Sequence, residues 1–190
     1  ILIDGYELKD VSLHSLRKQM GVMTQDSFIF HGTIRENIMY GKLDATEEEM
    51  IAAAKAVNAH DFIMKMEKGY DTELKEQGAG LSIGQRQLIA FARTMVSKPK
   101  ILILDEPTTG LDPQTRKLLW SVVSELRKKE NMSVFLTTHY MEEAEALSDR
   151  IAIMKDGRLL ICDTAEKIKE TADTDNFEQA FIRIVKGVAK

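Results

Sequence analysis

The sequence predicts an α/β protein with a mostly parallel sheet, covered on both faces, and a helical lobe inserted into it. Three observations predict it. Short apolar runs ("MGVMTQ" from Met20, "KILILD" from Lys100 and "SVFLTTH" from Ser133) end in polar residues and alternate with helical stretches, the pattern of strands joined by crossover helices. Between the first two runs lies a continuous helical stretch, the inserted lobe. Near the end, "RIAIMKDGRLLICD" reads as two strands joined by Asp156-Gly157, a tight-hairpin dipeptide.

The elements follow in order. Ile1–Ile3 is apolar and meets "DG", a strand and a turn. "SLHSLRKQ" has a short helical rhythm. From Thr33 to about Lys68 the pattern is helical, and Thr46 followed by Glu49 suits a capping box. "EKGYDTELKEQGAG" is a polar, glycine-punctuated loop, after which a helix starts near Ser82 and ends before Pro99. "PQTRKLLWSVVSELRKK" and "YMEEAEALSD" are two further helices.

Composition bounds the function. A chain of 190 residues, 44% hydrophobic and 29% charged, fits one domain with a small inserted lobe and buries a proper core. A net charge of −4 gives no general attraction to nucleic acid or anionic lipid. Cys162 is alone, which suits a reducing compartment. No apolar stretch approaches the roughly 18–20 residues that span a bilayer, and no charged-then-apolar leader is expected at the start.

The polar strand ends carry the candidate chemistry. In "ILILDE" two carboxylates emerge where a buried parallel strand finishes, the edge at which open α/β sheets bind ligands. Asp105 suits Mg2+, a hard cation that prefers oxygen, and Glu106 suits polarising a water for attack on a phosphoryl group. A strand that ends in solvated acids explains the hexapeptide equally well. In "LSIGQRQ", Ser82 and Gly84 open a helix whose free N–H groups make an anion site; an ordinary N-cap is the plainer explanation. His139 and Gln25 each follow an apolar strand, and each alone is a structural residue.

Their order changes the reading. "VMTQD" with Gln25, "LSIGQ" with Ser82, Gly84 and Gln85, "ILILDEP" with Asp105 and Glu106, "GLD" with Asp112 and "TTH" with His139 resemble five motifs of one family. These are the Q-loop, signature, Walker B, D-loop and switch histidine of the nucleotide-binding domain of ATP-binding cassette (ABC) exporters. The resemblance covers essentially the whole chain. It implies a P-loop NTPase-type fold, truncated at its N-terminus, with residues 1–24 and 87–170 as ATPase core. Residues 25–86 would be the helical subdomain and 171–190 a C-terminal tail.

The resemblance also implies cofactors and partners. ATP and Mg2+ are the cofactors, with Asp105 and Gln25 on the metal and Glu106, His139 and Gln25 in catalysis. Ser82, Gly84, Gln85 and Asp112 would meet ATP held by a second, head-to-tail ABC ATPase domain. A transmembrane transporter domain would dock near "QDSFIFHGTIREN", leaving the chain cytoplasmic and peripheral on the inner face of the membrane, with no nucleic-acid partner.

Two departures stand out. Ile83 occupies a signature position where the family has glycine. No copy of G-x-x-x-x-G-K-[ST] occurs; the nearest stretch, "HGTIRENIMYGK", has its glycines wrongly spaced and leucine after Lys42. A P-loop supplies the backbone nest and lysine that hold phosphates, so the chain is expected to be inactive alone. The part up to Glu106 resembles exporters with membrane and ATPase parts in one polypeptide. The part from Pro107 resembles separate-subunit multidrug or lipid exporters. A soluble ABC ATPase acting on ribosomes or DNA, and a non-hydrolysing or chimeric cassette fragment acting as a binding module, are the alternatives.

Overall fold

In the computed structural model, residues 2–26 and 28–187 are described, Glu76 by its backbone alone. Ile1 of the first expected strand, Ser27 of the stretch after Gln25 and the last three residues of the expected tail lie outside the described residues. The chain forms two compact units, residues 1–137 and 138–190.

In the first unit, β1 (Leu2–Ile3) and β2 (Tyr6–Glu7) form a small hairpin, followed by α1 (Leu13–Lys18), which Ser12 caps, and β3 (Met20–Met23). Next come β4 (Gly32–Thr33), α2 (Ile34–Met39), α3 (Glu47–Ala56), α4 (His60–Met64), β5 (Glu73–Leu74) and α5 (Ile83–Met95). The unit closes with β6 (Ile101–Asp105), α6 (Pro113–Glu130) and β7 (Ser133–Thr137). Three helices of this unit start with complete capping boxes, Thr33 with Glu36, Thr46 with Glu49 and Ser82 with Gln85, each satisfying two otherwise orphaned N–H groups. The polar loop after Lys68 holds one element its composition conceals, β5, which pairs antiparallel with β4.

β3, β6 and β7 form one parallel sheet in the order β3-β6-β7. Met23 lies opposite Leu104, and Asp105 opposite Thr137. The inward row, including Met23, Leu102 and Leu104, packs with Leu88, Phe91 and Met95 of α5 and Leu119, Val122, Val123 and Leu126 of α6. Each such side chain contributes about 1.5–3 kcal/mol when fully buried. The expectation of a sheet covered on both faces is corrected here. Val22, Ile103 and Phe135 stand in register across the three strands, and Val22 and Phe135 are 54% and 63% exposed. Ile103 between them is half-buried, so the strands are apolar on both faces but this face is the less covered one.

The second unit contains α7 (Met141–Leu147), β8 (Ile151–Lys155), β9 (Arg158–Asp163), α8 (Ala165–Thr171) and α9 (Phe177–Lys186). β8 and β9 pair antiparallel, and Asp156 and Gly157 at their turn both have positive φ, 49° and 72°, as a type I′ turn requires. Ile151, Ile153, Ile168, Phe177 and Ala180 make this unit's own core. The sequence reading assigns no element to Phe177–Lys186, where α9 lies.

Candidate functional site

The parallel register places the first candidates. β3 and β6 run side by side in the same direction, so Gln25, two residues beyond β3, and Asp105–Glu106, at the end of β6, share the sheet's carboxyl edge. The Thr137 hydroxyl donates across the β6–β7 pair to Asp105 Oδ1. The Glu106 N–H donates to the Thr137 carbonyl at 3.0 Å, which extends the β6–β7 ladder by one bond. Beyond that bond the backbone turns: Glu106 has φ 49°, a left-handed conformation uncommon for residues with a Cβ. Thr109 closes the turn. Its N–H donates to the Glu106 carbonyl at 3.2 Å and its hydroxyl to Glu106 Oε2 at 3.3 Å. The carboxylate is therefore steered by its own turn.

The start of α5 brings the next group. Ser82 Oγ accepts from the Gln85 N–H at 3.1 Å, and Gln85 Oε1 accepts from the Ser82 N–H at 2.9 Å. The Gln85 side chain thus closes the capping box, while the Ser82 hydroxyl, exposed, keeps its own proton to donate. Gly84 has a steric reason: a Cβ there would stand 2.7 Å from Thr115 Cγ2 at the start of α6. Asp112 caps α6, accepting from the Gln114 and Thr115 N–H groups at 3.0 Å each and from the Thr115 hydroxyl at 2.5 Å. The Thr115 hydroxyl, then the backbone N–H groups, hold its carboxyl below the usual aspartate value.

Of the expected site residues Gln25 lines a cleft of about 700 Å³, together with Asp26 after β3, Ile83 and Arg86 on α5, and Thr109 and Gly110 before α6; Ser82, Gly84, Gln85, Asp105, Glu106 and Asp112 are not in its lining. Ile83, the residue that departs from the family pattern, is 46% exposed and would sit 3.8 Å from a Cβ on Gly110. His139 belongs to the second unit, two residues beyond β7, exposed, with its ring 4.2 Å from that of Tyr140.

Asp105 and Gln25 are oxygen donors of the kind Mg2+ takes. Among the described residues no group of three or more His, Cys, Asp or Glu could hold a metal ion by itself. Mg2+ binds through one or two carboxylates with substrate phosphates and water, a donor chemistry that a single carboxylate at Asp105 with the Gln25 amide oxygen suits. Sequence reasoning missed the hydroxyls of Thr109 and Thr137, which hold the two acids. Their signal is faint, a threonine three residues after one acid and another on a neighbouring strand end.

Comparison with known proteins places these features. The family model described as "ABC transporter" matches residues 1–109. The ABC transporter ATP-binding protein YfiC of Bacillus subtilis (strain 168), itself uncharacterized, is 44% identical over 160 residues, 84% of this chain and 26% of that protein. YgaD of the same organism, named as a candidate multidrug export ATP-binding/permease protein, is 41% identical over 170 residues, 90% of this chain and 29% of its own length. A solved structure of a bacterial Atm1-family ABC exporter with ATP bound superposes with a TM-score of 0.83 at 35% identity, covering 96% of this chain and 31% of that one. The chain spans less than a third of the length of these relatives.

Proposed function

The chain belongs to the ABC transporter family, and from that premise we propose that it is the ATP-hydrolysing part of an ABC exporter, coupling ATP turnover in a head-to-tail dimer to transport by a membrane domain. The observation that supports this most directly is the cleft in which the segments of Gln25, Ile83 and Thr109 meet, with the Glu106 carboxylate tied to Thr109.

Each residue has a task in this reading. Glu106 accepts hydrogen-bonding from the attacking water and orients it at the γ-phosphorus. Asp105 and Gln25 hold Mg2+, which offsets charge on the phosphate oxygens. The Ser82 hydroxyl and the N–H groups near Gly84 and Gln85 contact the γ-phosphate of ATP bound by the second ABC ATPase domain. Asp112 lies on that interface, and His139 senses the γ-phosphate. The membrane domain rests on the stretch after Gln25, where Phe28 and Tyr40 are exposed, and holds the chain at the inner face of the membrane. Among the described residues no helix is long and apolar enough to cross a membrane. The motif G-x-x-x-x-G-K-[ST] does not occur in the 190 residues.

The test is ATP turnover by the full-length protein in lipid vesicles. Turnover that needs Mg2+ and falls at least about a hundredfold in Glu106→Gln, with ATP still bound, supports the reading. Equal turnover in wild type and Glu106→Gln overturns the assignment.

A further inference from the structure

One cation of the first unit is used by none of the chemistry above. Arg93, three turns along α5 from Ser82, is half-buried, and desolvation lowers its pKa. Its acceptors among the described residues are neutral. Arg93 Nε donates to the Asn37 carbonyl at 2.8 Å, Nη2 to Asn37 Oδ1 at 2.7 Å, and Nη1 to the Phe28 carbonyl at 2.7 Å. Its guanidinium lies over the Phe30 ring, 4.7 Å from the centroid.

Asn37 is itself 1% exposed and fully engaged. Its Oδ1 also accepts from the Phe30 N–H at 2.9 Å, and its Nδ2 donates to the Phe30 and Thr33 carbonyls at 3.0 and 2.9 Å. A planar fork that serves two carbonyls and an amide oxygen at once is a task lysine cannot perform. The backbones also meet: a Cβ on Gly41, just past α2, would stand 1.8 Å from the Arg93 carbonyl oxygen. The loop of Phe28 and Phe30 and the helix α2 are thereby fastened to α5 through one side chain. On the outside of this joint sits an aromatic set. Phe28 packs edge-on against Phe30 at 5.1 Å, and Phe30 against Tyr40 at 4.5 Å.

We infer that Arg93 is a positioning residue that ties the aromatic set of exposed Phe28 and Tyr40 and half-buried Phe30 to the helix carrying Ser82. A displacement of this set then moves α5 as one rod, roughly 16 Å from Arg93 back to Ser82. This inference rests on the proposed function, because it assigns Arg93 a part in how that site closes on ATP.

The experiment uses the full-length protein in lipid vesicles, with Arg93→Lys and Arg93→Met compared with wild type by amide hydrogen exchange and ATP kinetics. Exchange across residues 28–37 is expected to quicken about tenfold while the β6 amides of 101–105 keep their wild-type rates, the mark of local rather than global opening. In the same variants kcat falls about tenfold and KM for ATP stays within about twofold, as for a loosened geometry remote from the nucleotide. Arg93→Lys should fail to rescue. Arg93→Gln, whose short side chain cannot reach all three acceptors at once, is the second variant if Arg93→Met does not fold, and the same split is expected of it. Faster exchange in both segments, or faster exchange at 28–37 with unchanged kcat, overturns the inference and leaves the ATPase reading standing. A wild-type protein without ATP turnover overturns both.

Discussion

Gly84 and Thr115 meet where two helices begin: a Cβ on Gly84 would lie 2.7 Å from Thr115 Cγ2, so α5 and α6 start in contact at the rim of the cleft. Gly84→Ala forces a shift, and its expected cost is about 1–3 kcal/mol of stability, as for other overpacked sites. Thr115→Ser removes the offending methyl while keeping the hydroxyl that Asp112 uses. The double variant should recover most of the loss, which a double-mutant cycle by denaturant unfolding measures. Additive losses would show that the two helices do not press on each other here.

At Ser82, capping, which the structure shows, can be separated from the proposed phosphate contact. Ser82→Ala should cost about 1 kcal/mol through loss of the α5 cap, read by denaturant unfolding. Ser82→Asp keeps the cap and places a charge where the γ-phosphate of a partner's ATP would lie. It should leave stability nearly unchanged while abolishing ATP-induced dimers of the full-length protein in gel filtration. Wild-type dimer yield in Ser82→Asp would remove Ser82 from the nucleotide interface.

Asp112 makes a pH-dependent contribution of known sign. Its folded-state pKa lies below the ordinary value because the Thr115 hydroxyl and two backbone N–H groups favour the carboxylate. Its contribution is therefore present above the unfolded value, about 3.9, and is lost as pH falls through the lower folded one. Asp112→Asn still caps but does not titrate. The difference between wild-type and variant unfolding midpoints should shrink between pH 5 and pH 3, where a constant difference would show that Asp112 does not carry this linkage.

The 190 residues on their own should hydrolyse ATP no faster than a buffer control. The motif G-x-x-x-x-G-K-[ST], whose backbone nest and lysine position phosphates, does not occur in them. Turnover that vanishes in Glu106→Gln would show that the site assembles without it.

Much of this was legible because the informative residues sit where local rules are strong. Thr46 announced its helix by a capping box and Ser82 by an N-cap, which the structure shows to be a full box with Gln85, and Asp156-Gly157 announced its hairpin. The three apolar runs were legible as strands, and the structure sets them in the order β3-β6-β7. Coverage of the sheet was not legible, since an apolar strand reads the same with one face packed or two, and only neighbours decide. Asn37 was equally hidden: a buried asparagine in "TIREN" looks like a surface residue until Arg93, far along the chain, is seen bonding to it. β5 escaped because two residues are too few for a period.

The left-handed backbone at Glu106 sets thermal robustness against chemistry at a single position. Holding a glutamate at φ 49° costs about 1–2 kcal/mol relative to a residue at ease there, while glycine or asparagine would adopt it readily. Selection or engineering for heat tolerance alone would therefore drift toward Glu106→Gly or Glu106→Asn, and the sturdier protein would lack the carboxylate. A library screened only by melting temperature should enrich these two variants; one screened by turnover should discard them.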